Sequence, residues 1–110
     1  MASVFFEAMV PQVVAKTVGT TAVQVSTVTQ LVMSFTVEAN SSNSGILYLG
    51  GSNVDATAAL RLSAGDSYTS PVIYAGGTNV REYDLSEWYL RASGAGQKAA
   101  ILKIRLAKNV

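Results

Sequence analysis

Neither cysteine nor histidine occurs anywhere in the sequence. Without cysteine the fold owes nothing to disulfides or thiolate chemistry and carries no redox condition. Without histidine the familiar nucleophile–base pairs are out of reach, because Ser-His-Asp and Cys-His sites both need an imidazole. Charge is scarce too: 14% of residues are charged, against about a quarter in ordinary domains. Eight basic and seven acidic side chains leave a net charge of +1, far from the basic excess of a nucleic-acid binder. No run approaches the roughly 18 apolar residues of a membrane-spanning helix. The opening Met1-Ala-Ser-Val-Phe-Phe-Glu7 lacks the basic and apolar regions of a secretion signal. The expectation is a soluble protein made in a cytoplasm, with no nucleic-acid or membrane partner.

What the chain does have is apolar bulk, 49% of 110 residues, enough for one domain that buries roughly 65% of its unfolded surface. The apolar positions recur with period two. Leu31, Met33, Phe35, Val37 and Ala39 alternate with Val32, Ser34, Thr36 and Glu38, which predicts a long strand with the first set facing a core. Ala100, Leu102, Ile104 and Leu106 alternate with Ile101, Lys103, Arg105 and Ala107, which predicts a closing strand with a basic outer face. Shorter strands are expected at Ala22–Ser26, with Val23 and Val25 inward, at Ile46–Leu49, and at Ala59–Leu62, with Leu60 and Leu62 inward. Further strands are expected at Ser67–Ser70, Val72–Tyr74 and Glu87–Ala92, and within Val4–Val10. Glycine- and asparagine-rich breakers separate them every eight to twelve residues or so, the spacing of an all-β sandwich or barrel. Asp55–Leu60 holds three alanines and has room for one helical turn, but its flanks read as loop. Pro11 cannot donate to a sheet ladder, so residues 1–16 read as an N-terminal arm or edge strand and residues 17–110 as the sandwich domain.

The candidate chemistry is thin. Gly94-Ala-Gly-Gln-Lys-Ala99 fits a loose G-x-G-x-x-A pattern, but a strand-like alternation follows it where a phosphate site needs a helix. Glu82, Asp84 and Glu87 crowd one segment without the ligand spacing of a calcium loop, and a chain this short seldom builds the cleft that paired glycosidase carboxylates require. No catalytic, metal or cofactor site is expected. Asn40-Ser-Ser42 fits a glycosylation acceptor but reads as a polar loop. Trp88 and Leu90 point one way along their strand, toward a core, and Tyr89 and Arg91 the other, toward a surface; both of the latter types are enriched at binding hot spots. A poorly charged, strand-rich surface favours self-association or docking. Candidate interface residues are therefore Phe5, Phe6, Met9, Tyr89, Arg91, Lys103 and Arg105.

Three segments carry a resemblance. Gly45-Ile-Leu-Tyr-Leu-Gly50, then Leu60-Arg-Leu-Ser-Ala-Gly-Asp-Ser-Tyr68, then Trp88-Tyr-Leu-Arg-Ala-Ser-Gly-Ala-Gly96 follow one another as glycine-closed strands do in small β-sandwich structural proteins of tailed bacteriophages. Over about residues 30 to 107 the chain resembles their capsid decoration, or cement, proteins most. The resemblance implies a single antiparallel, jelly-roll-like β-sandwich of about eight short strands, trimeric association, the major capsid protein as partner, a place on the outer surface of the virion and no catalytic residue. A receptor- or glycan-binding fibre or tail-tip domain, and a tail or head-tail connector, remain open as alternatives.

Overall fold

The structure, a computed structural model, describes residues 7–76 and 79–108. It is all-β, with β1 (Glu7–Val18), β2 (Val23–Gln24), β3 (Leu31–Val32), β4 (Ser34–Ala39), β5 (Leu47–Gly50), β6 (Leu60–Leu62), β7 (Ser67–Thr69), β8 (Ile73–Gly76), β9 (Asn79–Arg81), β10 (Tyr83–Asp84), β11 (Tyr89–Ala92) and β12 (Gln97–Lys108). Among the described residues the one helical element is a 3₁₀ turn, Leu85–Glu87. The segment with room for a helical turn forms bends instead, where Asp55 Oδ1 accepts from the Thr57 N–H, the Thr57 hydroxyl and the Ala58 N–H.

Two four-stranded antiparallel sheets, ordered β1-β12-β4-β7 and β2-β11-β5-β6, enclose the core, and β3-β10 and β8-β9 form two-stranded ribbons beside them. Setting those ribbons aside, the eight principal strands pair as first–eighth–third–sixth and second–seventh–fourth–fifth, which is jelly-roll order. β1 and β12 pair over all twelve residues, from Glu7 opposite Lys108 to Val18 opposite Gln97. β4 covers β12 only from Ala99 to Ile104, so Glu7–Val10 and Arg105–Lys108 continue past the sandwich as a two-stranded ribbon. The molecule is correspondingly long, 53 × 25 × 22 Å with a radius of gyration of 15.3 Å, against about 13 Å for a compact chain of this size.

The core joins Phe35, Val37 and Ala39 of β4 and Ala99 and Ile101 of β12 to Leu47, Leu49, Leu62, Leu90 and Ala92 of the facing sheet. At its centre the Phe35 ring meets Trp88 at 4.8 Å, Tyr83 at 5.6 Å and Tyr68 at 6.3 Å, each edge-on, an arrangement suited to the aromatic quadrupole. The Phe35 backbone is locked as well. Its N–H donates to Ser70 Oγ, its carbonyl accepts from the Ser70 N–H, and the neighbouring Ser34 hydroxyl donates to the Ser70 carbonyl.

Three sequence expectations are corrected. The strand expected across residues 31 to 39 breaks at Met33, and Leu31 is 47% exposed while Val32 is fully buried. The cause is a change of partner: β4 pairs with β12, whereas Leu31 and Val32 pair with Asp84 and Tyr83. In β6 Leu62 faces the core but Leu60 is 47% exposed, since β6 is the sheet edge and no other described strand flanks it. The largest correction concerns β12. Ala99, Ile101 and Lys103 lie opposite Ala39, Val37 and Phe35, and directly opposed residues share a face. The odd-numbered residues therefore point inward, and Ala100, Leu102 and Ile104 form the outer face.

Phe35→Ala is expected to lower unfolding free energy by about 3–5 kcal/mol, and Ser70→Ala, which strands a buried N–H, by about 1–3 kcal/mol. Leu31→Ala is expected to cost about 1 kcal/mol or less. Urea denaturation checks all three, and equal losses at Phe35 and Leu31 would show one unbroken register through Met33.

Candidate interaction surface

Of the seven residues expected at an interface, the four whose side chains are described, Tyr89, Arg91, Lys103 and Arg105, divide between the two sheets. Phe5 and Phe6 lie outside the described residues. Met9 stands opposite Leu106 at the ribbon end of β1, and its side chain also lies outside the described residues. Tyr89 and Arg91 belong to β11, opposite Gly50 and Tyr48 of β5, on the outer face of the β2-β11-β5-β6 sheet. That outward direction matches the expectation, but the loop between β5 and β6 covers the face. Val54 is 3% exposed and sits where a Cβ on Gly50 would meet its Cγ2 at 3.3 Å. Arg61, opposite Tyr48, donates to the Ala56 carbonyl at 2.7 Å. Tyr48 is buried and Tyr89 and Arg91 are half-buried, so this surface is largely occupied by the chain itself. Asp55, at the same loop, is held below the usual carboxylate range by its bonds from Thr57 and Ala58, with Arg91 adding attraction.

Lys103 and Arg105 lie on the other sheet and on its inward side. Lys103 is 7% exposed, and its ammonium donates to Gln30 Oε1 at 2.8 Å. Burial pushes its pKa down, and the cations Lys16 and Arg105 push it the same way. The expected basic outer stripe is therefore replaced by an inward-facing, partly desolvated group at the open end of the sandwich.

The acidic segment is structural. The Ser86 N–H and hydroxyl and the Gln30 N–H all donate to Asp84 Oδ1. These bonds, from Ser86 above all, hold the Asp84 carboxyl below its usual range, and they tie the 3₁₀ turn to the loop before β3. Among the described residues no three carboxylates converge as metal ligands. The Gly94–Ala99 motif is the turn between β11 and β12, with Gly96 at φ 74°, and Gln97 closes it by accepting from the Gly45 N–H and donating to the Ala95 carbonyl. Asn40 and Ser42 make a local turn through Asn40 Oδ1.

The surface that the geometry does present is the outer face of the β1-β12-β4-β7 sheet. Val13, Thr36, Glu38, Ala100 and Leu102 line a shallow depression of ≈ 240 Å³ there, and Val13 is 68% exposed. Sequence reasoning missed it because β12 is apolar on both faces from Ala99 to Leu102, so alternation alone could not say which face was covered.

The position of Lys103 fixes a pH dependence. A lysine whose folded pKa lies below its unfolded value releases its proton first in the native state, so stability rises with pH between the two values. Relative to a Lys103→Met variant, the native protein is expected to be the less stable near neutral pH, with the gap narrowing as pH approaches 10.5, the unreduced lysine value. Urea melts of both proteins across that range check the sign. The chain matches no family model, no curated protein and no solved structure.

Proposed function

We propose that this chain is a non-enzymatic virion structural protein that decorates a tailed-phage capsid and stabilises it by binding the lattice of the major capsid protein. The observation that carries the proposal is the jelly-roll strand order, an architecture that recurs in viral capsid and lectin domains, in a chain whose strand-and-glycine succession resembles that of phage decoration proteins. The absence of histidine and cysteine removes imidazole- and thiol-based catalysis and is consistent with a binding role. Two surfaces suit the task. The β1/β12 ribbon runs past the sandwich, and no other described strand pairs with Glu7–Val10 or Arg105–Lys108, so it can pair with an extended segment of a partner. The outer sheet face offers a flat apolar area.

Stabilisation follows from differential affinity. A protein that bridges several subunits binds the expanded, fully spaced lattice better than the loose one, and each contact already made raises the effective concentration of the rest.

The purified protein is expected to bind expanded shells stripped of it far more tightly than free capsid subunits, and to raise the temperature at which the shells fall apart. Removing residues 1–10 deletes one strand of the ribbon and none of the residues opposite β4, so attachment is expected to weaken while the sandwich stays folded. Co-sedimentation with stripped shells and circular dichroism of the truncated protein measure the two effects. A second reading, a glycan- or receptor-binding fibre or tail-tip domain, is favoured by one observation: Tyr74 of β8 is 68% exposed beside Val72 and Ile73, an apolar and aromatic platform. Binding to host glycans that is lost in Tyr74→Ala, with indifference to shells, would put that reading first.

A further inference from the structure

We infer that the outer face of the β1-β12-β4-β7 sheet is a homotypic contact, on which two copies of this chain pack face to face about a twofold axis parallel to β12. Val13 and Ala15 of β1 and Ala100, Leu102 and Ile104 of β12 share this face through their pairing. Thr36 and Thr69 extend it, and their hydroxyls bond each other at 2.8 Å, so covering them leaves one O–H rather than two in need of a partner. Within the stretch of β12 that β4 covers, the charges on this face are Glu38 and Lys98, of opposite sign and on adjacent strands at the same end of the sheet; the register places Glu7 and Lys108 on the same side at the far end of the ribbon.

The open edge of the sheet is a poorer route to association. The Met33 N–H donates to the Ile104 carbonyl and the Asn40 N–H to the Lys98 carbonyl, so even-numbered β12 residues turn their backbone toward β4 and odd-numbered ones toward β1. Pro11, opposite Ile104, therefore turns its backbone to the free edge, where it has no N–H to give. Lys16, opposite Ala99, points a charge inward from the same strand. A proline and an inward charge are the devices by which edge strands resist strand addition.

The face is large enough. β1 and β12 offer about seven residues each beside the sandwich, β4 six and β7 three, which at about 3.3 Å per residue and about 4.8 Å between strands project over roughly 360 Å². Two such faces with their side chains bury on the order of 1,000 Å², the lower bound of a specific interface. The charges choose the axis. A twofold parallel to β12 keeps the Glu38 and Lys98 ends of both copies together, with Lys98 of one against Glu38 of the other, whereas an axis across the strands would press both charges onto the apolar end and desolvate them unpaired. The arrangement is a dimer, unlike the trimer that the phage resemblance implies, and it stands apart from capsid binding because it is measured on the isolated protein.

Sedimentation equilibrium of the full chain is expected to show a monomer–dimer equilibrium. Val13→Glu, at a site 68% exposed, is expected to weaken it about 100-fold with an unchanged circular dichroism spectrum, and Val28→Glu, 66% exposed elsewhere, to leave it unchanged. Glu38→Lys is expected to weaken it about tenfold, and the exchange Glu38→Lys with Lys98→Glu to restore it. A monomer up to millimolar concentration, a threefold mass, a dimer indifferent to Val13→Glu, or an exchange variant no tighter than Glu38→Lys alone would each overturn the inference.

Discussion

The contact on which the rest of the structure depends is the Phe35 ring held among Trp88, Tyr83 and Tyr68. It is the point where the sheets and the β3-β10 ribbon meet: Phe35 and Tyr68 come from β4 and β7, Tyr83 from β10, and Trp88 from the residue that opens β11. The sequence has no cysteine, so no disulfide joins the two faces of the sandwich; apolar burial holds them, and an aromatic group of this size supplies a large part of it. The backbone bonds to Ser70 hold the ring in place. They fix the strand that carries it, and through the β4–β12 pairing they fix which residues of β12 look inward.

That choice has consequences on both sides of the sheet. Inward, it places Lys103 against Gln30 at the open end of the core, where burial and neighbouring cations disfavour its charge. Outward, it collects Val13, Ala15, Ala100, Leu102 and Ile104 on a face with nearly balanced charge. A chain with so few charged groups has little electrostatic means of keeping such a face in water, and a second copy covers it without new chemistry. The opposite sheet solves the same problem within the chain, by laying the β5–β6 loop and Val54 over Tyr48 and beside Tyr89 and Arg91. The two sheets thus differ in exposure for a local reason: one has a covering loop, and among the described residues the other has none.

The proposed roles follow from this asymmetry and from the overhang of β1 and β12. A ribbon that outruns its sheet has unpaired backbone, and a two-stranded ribbon alone is only marginally stable in water; it gains order by pairing with something else. A capsid lattice supplies that partner many times over, and a dimeric protein reaches two of its sites at once, which turns weak contacts into stable attachment.

The sequence by itself determined the all-β class, the sandwich, the approximate place of most strands and the burial of Phe35, Val37 and Ala39, because period-two alternation and closely spaced glycine and asparagine breakers are local properties. It also excluded histidine- and cysteine-based catalysis outright. Only the tertiary structure decided the face of β12, the exposure of Leu31 and Leu60, and the placement of Tyr89 and Arg91 on one sheet and Lys103 and Arg105 on the other. Each of these depends on which strand lies alongside. Alternation states that two faces differ but not which is covered, and where both sets are apolar, as at Ala99–Leu102, it does not even state that. Val37 and Ala39 across the ladder settle the matter for β12, a change of partner at Met33 settles it for Leu31, and the lack of a described strand beyond β6 settles it for Leu60.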